Sequence, residues 1–482
     1  MADAELRVGT WGFGPHPWVS VERTRGFYAR SCAPDIALVD LDAGPLAEDV
    51  DAILSFASAR WHREPRPGDT PIVLAMHGGP VVEHALLREL LPKLRTSDTL
   101  LVNCRSDRAI VEGLCEQPPH VQVLPLPVDT DCFVPFERAP CRAEFGLDPD
   151  AVVLGFVARL VPQKNLHGFL RVVAELRRRL APRPVQALVI GNFSASYPVL
   201  DYGCRAYPDY IQELRRRLEL GDALRYFAAR LSDDQLAAAY SAMDFLVHPS
   251  MAIDENFGYA PIEAMACGTP VVASAYGGIK DSVIHGETGV LLSTWASEGG
   301  IRMNLSAAVE AIVALVDEPA RHEALSVAAF DHVHANYAEA RCAGVLRATL
   351  EQAARRRGGE ALRTRPSSVR VADDSLPPTD PPYAAFAEAI GHYVSHPRPR
   401  LRPASLVRRA APTRRDDAGE LRLDDPAWPA AVRLDPEDLE LLERCARPVA
   451  ASELAPPGTA AWTRLQRYLD RGLLIPAEYE QP

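Results

Sequence analysis

The sequence predicts an α/β protein: two doubly wound domains facing a cleft, followed by a small, mainly helical, winged-helix-like module. Three observations carry this. Over about the first 145 residues, short apolar runs alternate with helical stretches, and the runs are continuous, as strands buried on both faces of a parallel sheet require. A second array of the same kind follows a polar seam at Asp148–Asp150. After Arg357 the composition turns to Pro, Arg and Asp, and apolar periodicity returns only near the C-terminus.

In the first domain, 1–148, the runs Leu6–Gly9, Ile36–Leu41, Ala52–Phe56, Ile72–Met76, Thr99–Asn103 and Val121–Leu124 are the expected strands. In the second, 149–357, strands are expected at Val152–Val157, Gln186–Gly191, Leu224–Phe227, Phe245–His248 and Val271–Ala273. Between the first two of these, Asn165–Leu180 carries Leu166, Phe169, Leu170, Val173, Leu176 and Leu180 at helical spacing. A helix over Tyr337–Arg357 is expected to close this half. Two such βα arrays make Rossmann-like domains, which bind ligands outside the carboxyl ends of their strands. Residues 358–425 read as a Pro/Arg-rich linker with one helix-like island, Tyr383–His396. The segment 426–482 reads as three short helices and a strand, the winged-helix-like module.

The 482 residues are 47% apolar and 24% charged, an ordinary soluble globular balance. Net charge is −12, which argues against a nucleic-acid binder, because phosphate affinity needs clustered positive charge. No basic, apolar-cored leader opens the sequence and no apolar run approaches the roughly 20 residues that span a bilayer. The nine cysteines form no CxxC pair and sit singly on apolar segments, so buried free thiols in a reducing cytoplasm are expected. Between Arg355 and Arg415 stand 13 arginines against five acids; this stretch is either a solvated linker or a peripheral patch for an anionic membrane or acidic partner. Arginine dominates throughout: only Lys93, Lys164 and Lys280 are lysines.

The chemistry concentrates in Glu255–Gly289, ENFGYAPIEAMACGTPVVASAYGGIKDSVIHGETG. Glu255 and Glu263 are separated by seven residues. Asn256–Gly258 reads as a loop and Pro261 suits the first turn of a helix, which places Glu263 on that turn, beneath the loop bearing Glu255. One carboxylate can face a sugar while the other accepts bonds from a second set of hydroxyls. The amides of Phe257, Gly258, Tyr259 and Ala260, at the helix start, are placed to hold an anion. The plainer alternative is a capped helix with solvated acids.

This string resembles the E-x7-E signature of retaining GT-B glycosyltransferases, specifically the large family 4 (group 1) set. VVLGFVARLVPQKN resembles that family's GRLxxxKN segment, and DFLVHPS and GGIKDSVIHGETGVLL continue the likeness. It is dense from about 150 to 350, looser over 1–145 and missing from the last 120 or so residues. The resemblance implies a nucleotide-diphosphate sugar as donor substrate, no separate cofactor and no metal. It implies that Arg159 and Lys164 neutralise the departing diphosphate, that Glu263 binds the ribose and that Glu255 contacts the donor sugar. Gly258, Tyr259 and Ala260 supply amides to phosphate and sugar. In the first domain, His77 of IVLAMHGG matches the strand-end histidine that lies against the transferred sugar. Gly12, Phe13 and Gly14 fall in the glycine-rich turn that approaches the diphosphate, although Pro17 rules out a GxGxxG fingerprint. Asn103 and Ser106 end another strand without an assigned role.

Departures stand beside these matches. Pro127 replaces a glycine in the PxGVD segment, which excludes a positive-φ turn there. GGIKD carries Asp281 where the family has glutamate. The loop after Gly191, NFSASYPVLDYGCRAYPDY, is long. DxD triplets stand at Asp40–Asp42, Asp129–Asp131 and Asp148–Asp150. Such a pair holds a metal in another glycosyltransferase fold, a role disfavoured here because Arg159 and Lys164 already provide the diphosphate charge. Asp40 and Asp42 read as a strand end. The function expected is retaining transfer to a hydroxyl-bearing acceptor. An epimerase of the same fold, and a modifying enzyme whose tail recognises a peptide or protein, stay open.

Overall fold

The computed structural model describes residues 6–15, 19–42, 49–56, 66, 68–82, 87, 89–117, 119–195, 204–228, 230–365, 387–396, 398–415, 421–426 and 436–477. It divides into two compact units, Met1–Thr130 with His332–Val371, and Asp131–Asp331 with Ala372–Pro482.

The first unit is built on six parallel strands: β1 (Leu6–Trp11), β2 (Ile36–Asp40), β3 (Ala52–Phe56), β4 (Ile72–Ala75), β5 (Thr99–Val102) and β6 (His120–Val123). Their order is β2-β1-β3-β4-β5-β6, so the winding reverses between β1 and β3. The central strands β3, β4 and β5 are buried at every residue, whereas the edge strand β2 alternates, as the apolar runs require.

One element sits elsewhere than the sequence implied. The last helix of the second array, observed at Glu339–Ala354, belongs to the first unit. Its face of Cys342, Leu346, Leu350 and Ala353 completes a core with Val8, Phe27, Tyr28 and Leu54. Glu339 at its start receives both Nε and Nη2 of Arg30 at 2.9 Å. The chain then runs on beside the first sheet, with bridges Arg95↔Ala361 and Cys115↔Thr364, so 358–365 is not free linker.

The second unit carries β7 (Val152–Val157), β8 (Val185–Ile190), β9 (Leu224–Phe227), β10 (Phe245–His248), β11 (Val271–Ser274) and β12 (Gly289–Leu292). These parallel strands are ordered β12-β11-β10-β7-β8-β9, with the topological switch between β7 and β10. The hairpin of β13 (Thr294–Ser297) and β14 (Gly300–Met303) follows.

Sequence expected to be linker contributes further structure to this unit. It holds the helix Ala387–Tyr393, β15 (Leu406–Arg409), β16 (Thr413–Arg415) and β17 (Leu421–Leu423); residues 366–386, 397 and 416–420 lie outside the described set. In the C-terminal module the helices Pro436–Arg444, Ala451–Leu454 and Ala460–Arg471 pack with β18 (Val449–Ala450) and β19 (Leu474–Pro476). β15 lies antiparallel between β18 and β19, and Val407, Leu442, Leu465, Leu469 and Leu474 form the module's core.

Two consecutive acids anchor this tail. Asp424 Oδ2 receives Arg171 and Arg217, each at 3.0 Å. Asp425 stands 3.3 Å from His167 Nε2 and 3.6 Å from Arg302. Burial pushes the Asp425 carboxyl up, but the His167 hydrogen bond and the Arg302 charge hold it well below the ordinary value. Because a depressed carboxyl stabilises the fold above its unfolded pKa, near 4, Asp425→Ala should cost about 3 kcal/mol at neutral pH. Denaturant titration should show that deficit shrinking as the pH falls through the folded value.

No disulfide joins the nine cysteines, all of them among the described residues; eight are buried and Cys132 is half-buried. Burial lifts the thiols of Cys32, Cys115 and Cys445 to about 11 and that of Cys342 to about 12, so these act as small apolar core groups. Among the described residues no helix is long and apolar enough to cross a membrane.

Candidate active site

The candidate site of the second unit forms where β7 and β10 diverge, the position at which a doubly wound sheet leaves a crevice beyond its strand ends. After β7 the chain turns through Pro162–Lys164 and enters the helix Leu166–Arg179 by way of Asn165. Asn165 is left-handed, with φ 64° and ψ 39°, a conformation asparagine tolerates better than most residues. Its Oδ1 caps the Gly168 amide at 3.0 Å and its Nδ2 donates to the Pro249 carbonyl at 3.1 Å. The Met251 amide donates to the Gln163 carbonyl at 2.7 Å. The loops following two separate strands are thereby tied, and Lys164 is aimed across them.

Lys164 Nζ lies 2.6 Å from Glu255 Oε2, and its side chain is 12% exposed. The same carboxylate oxygen is 3.3 Å from Nε2 of His248, the last residue of β10. Glu255 is buried. Desolvation raises its pKa, yet the Lys164 charge and the His248 hydrogen bond outweigh that and hold it well below the usual carboxylate range. It is therefore a fixed negative charge at neutral pH. Arg159 is more exposed and stands 3.8 Å from Asp254.

Glu263 lies in the helix Tyr259–Ala266, in its second turn rather than its first. It is buried and accepts from Tyr240 Oη at 2.9 Å. Gly258 caps this helix at φ 88°, a left-handed position where a side chain would be strained, and a Cβ there would come within 3.1 Å of Ile279. Phe257 is buried with its ring edge-on to Tyr259, while Tyr259 and Ala260 are half-buried. Lys164 and Glu255 are thus brought together, Arg159 borders their loop through Asp254, and Glu263 is held separately by Tyr240. His248 and Tyr240 had no role in the sequence reading. The available signal was that His248 ends a strand of the switch point.

The first unit holds the other candidates. His77 follows β4; its ring is 5.7 Å from Phe56 and its carbonyl accepts from Asn103 Nδ2 at 3.0 Å. β1 runs two residues beyond Gly9, so the glycine turn begins at Gly12. The amides of Gly12 and Phe13 donate to Asp42 Oδ2 at 2.8 and 3.3 Å, while Gly14 is exposed. A carboxylate therefore takes the two donors a phosphate would need in this arrangement. Pro17 lies outside the described residues.

Two of the three DxD triplets have local explanations: the Asp42 amide donates to Asp40 Oδ1 at 2.8 Å, and the Asp150 amide to Asp148 Oδ1 at 2.9 Å. Among the described residues no group of three or more His, Cys, Asp or Glu is arranged to hold a metal ion.

Residues 138–299 match the family model described as glycosyl transferases group 1. The D-inositol 3-phosphate glycosyltransferase of Stackebrandtia nassauensis is 33% identical over 245 residues, 49% of this chain and 50% of that protein. That of Actinosynnema mirum is 38% identical over 209 residues, 42% of this chain and 48% of that protein. The chain thus spans about half the length of the curated relatives it matches. Among solved structures, a sucrose-phosphate synthase from Thermosynechococcus elongatus superposes with TM-score 0.55 at 20% identity, covering 72% of this chain and 98% of that one. Anabaena HepE in complex with UDP-glucose gives 0.54 at 18%, covering 72% and 99%. These two likenesses show a shared fold, the GT-B fold of two doubly wound domains.

Proposed function

We propose that this chain, whose residues 138–299 belong to the group 1 glycosyltransferases, moves a sugar from a nucleotide-diphosphate sugar to a hydroxyl-bearing acceptor with retention of configuration. The observation that carries this reading is the Lys164–Glu255–His248 cluster at the β7/β10 switch. There, Arg159 and Lys164 neutralise the diphosphate as it leaves, which is stabilisation of charge that develops in the transition state. Glu255, ionised and fixed, accepts hydroxyls of the donor sugar and faces the positive charge that grows at the anomeric carbon. Glu263, steadied by Tyr240, accepts the ribose hydroxyls. In the step itself the bond from anomeric carbon to phosphate oxygen breaks and the acceptor oxygen bonds to the same face. The acceptor proton passes to the departing diphosphate. The charge on the diphosphate is met by protein cations, so no metal enters this scheme.

The UDP-glucose complex of HepE supports uridine nucleotides as the first donors to test. The order β15, β16, β17, helix, β18, two helices, β19, with β15 paired between β18 and β19, supports a winged-helix-like module. Its helix Ala460–Arg471 is fixed to the β13–β14 hairpin, where the Glu298 amide donates to the Asp470 carbonyl at 2.8 Å and Arg302 Nε to the Gly472 carbonyl at 3.0 Å. That anchoring favours a part in the second unit's own architecture over a freely tethered recruiter.

A thermal-shift panel of UDP, GDP and ADP with their sugar conjugates tests the donor class. At a hundredfold excess over Kd, one bound nucleotide adds about 2.7 kcal/mol of stability and raises the melting temperature by degrees. A flat response to every nucleotide would remove the donor site.

A further inference from the structure

Lys280 does not enter the chemistry above. Its Nζ donates to the carbonyls of His392 at 3.1 Å and Val394 at 3.0 Å, at the C-terminal end of the helix Ala387–Tyr393. The last carbonyls of a helix lack partners within it and carry the negative end of its dipole, so a compact ammonium with three donors is suited to gather them. Beside it the Gly277 amide donates to the Tyr393 carbonyl at 2.9 Å, and the Tyr276 and Tyr393 rings meet edge to face with centroids 5.3 Å apart. Further along, the Ser395 amide donates to Thr294 Oγ1 at 3.1 Å, and that hydroxyl donates to the Ala275 carbonyl at 2.7 Å. The tail segment therefore grips the whole turn after β11.

The other side of this turn is the loop that carries Glu255. The Gly278 amide donates to the Glu255 carbonyl at 3.2 Å. A Cβ on Gly277 would lie 2.0 Å from that carbonyl oxygen, and one on Gly278 2.2 Å from the Asn256 oxygen. Backbone lies on backbone with no side chain between to absorb a shift. Any displacement of the 276–279 turn is passed directly to residues 255–257.

We infer that the segment 387–396 is a positioning clip for the donor site, with Lys280 its fastening: through the 276–279 turn it sets where the Glu255 loop stands. The tail, which lies outside the matched residues 138–299, thereby tunes donor affinity. The inference rests on the proposed function for which ligand is affected, but the mechanical coupling can be read without any ligand.

Hydrogen–deuterium exchange on the unliganded full-length chain is the first test. Lys280→Met should raise exchange several-fold at the 255–258 and 277–278 amides and leave β7 and β8 unchanged. Ser395→Ala, at a half-buried site, should act the same way more weakly, and Lys280→Arg should recover part of the protection. UDP titration then reads the consequence: affinity about tenfold weaker in Lys280→Met, with donor KM raised more than kcat is lowered. A merely structural role would lower melting temperature without that split. Native exchange at 255–258 in both Lys280→Met and Ser395→Ala overturns the clip. Failure of the wild-type chain to bind any nucleotide overturns the proposed function instead, and the exchange data still judge the clip.

Discussion

Glu255→Gln should lower kcat for sugar transfer by about 10²–10³-fold while leaving the fold intact. The substitution keeps shape and removes one charge. In the wild-type protein that charge is held in a buried setting by Lys164 at 2.6 Å and His248 at 3.3 Å. The proposed function sets that charge against the donor sugar, so its loss is felt most where the anomeric carbon becomes positive. Removing one preorganised electrostatic contact of this kind costs about 3–4 kcal/mol of barrier. A neutral amide also leaves Lys164 without its carboxylate partner, which should weaken the folded state by up to the roughly 3–5 kcal/mol typical of a broken buried pair. Steady-state kinetics beside circular dichroism separate the two losses. Transfer kinetics equal to wild type would take Glu255 out of the site.

Lys164→Ala should be the more severe change in kcat/KM, at about 10³-fold or beyond, with Lys164→Arg intermediate at about 10–10²-fold. Alanine removes the cation that the proposed function sets against the diphosphate and also strips Glu255 of its main counter-charge. Burial then opposes only His248, so the Glu255 carboxyl rises and the acid limb of the pH–rate profile moves to higher pH. Arginine keeps the charge but not the geometry. The Lys164 side chain is 12% exposed and held by Glu255 at 2.6 Å, so a longer, planar fork does not place its charge on the same spot. Indistinguishable kinetics for Lys164→Arg would mean that only the sign of the charge matters there.

The strands were legible because burial on both faces leaves continuous apolar runs: β7 and β9 fall at the residues where the sequence placed them. The E-x7-E loop and helix were legible because glycine, proline and acids mark local geometry. What depends on neighbours distant in the chain was not. Lys164 meets Glu255 across 91 residues where the loops after β7 and β10 adjoin, and Asp42 reaches the Gly12 and Phe13 amides because β2 lies beside β1. The helix Glu339–Ala354 has the apolar face the sequence shows, but nothing local says which sheet it covers. The tail carries a strong excess of arginine, and local charge balance reads that as solvated. Its anchors are instead two acids, Asp424 and Asp425, whose partners Arg171, Arg217, His167 and Arg302 lie far back in the chain. Lys280 fits the same pattern, since its carbonyl partners at His392 and Val394 lie in a segment that composition assigns to linker.

Retaining transfer, as proposed, breaks the sugar–diphosphate bond and keeps the configuration at the anomeric carbon. Proton NMR of the wild-type chain with a responsive nucleotide sugar and a polyol acceptor reads both parts at once. Retaining transfer yields nucleoside diphosphate and glycoside in equal amounts, the glycoside with the donor's anomeric configuration, and both signals should be nearly lost in Glu255→Gln. An inverted product, a converted donor without transfer, or undiminished turnover in Glu255→Gln would contradict it.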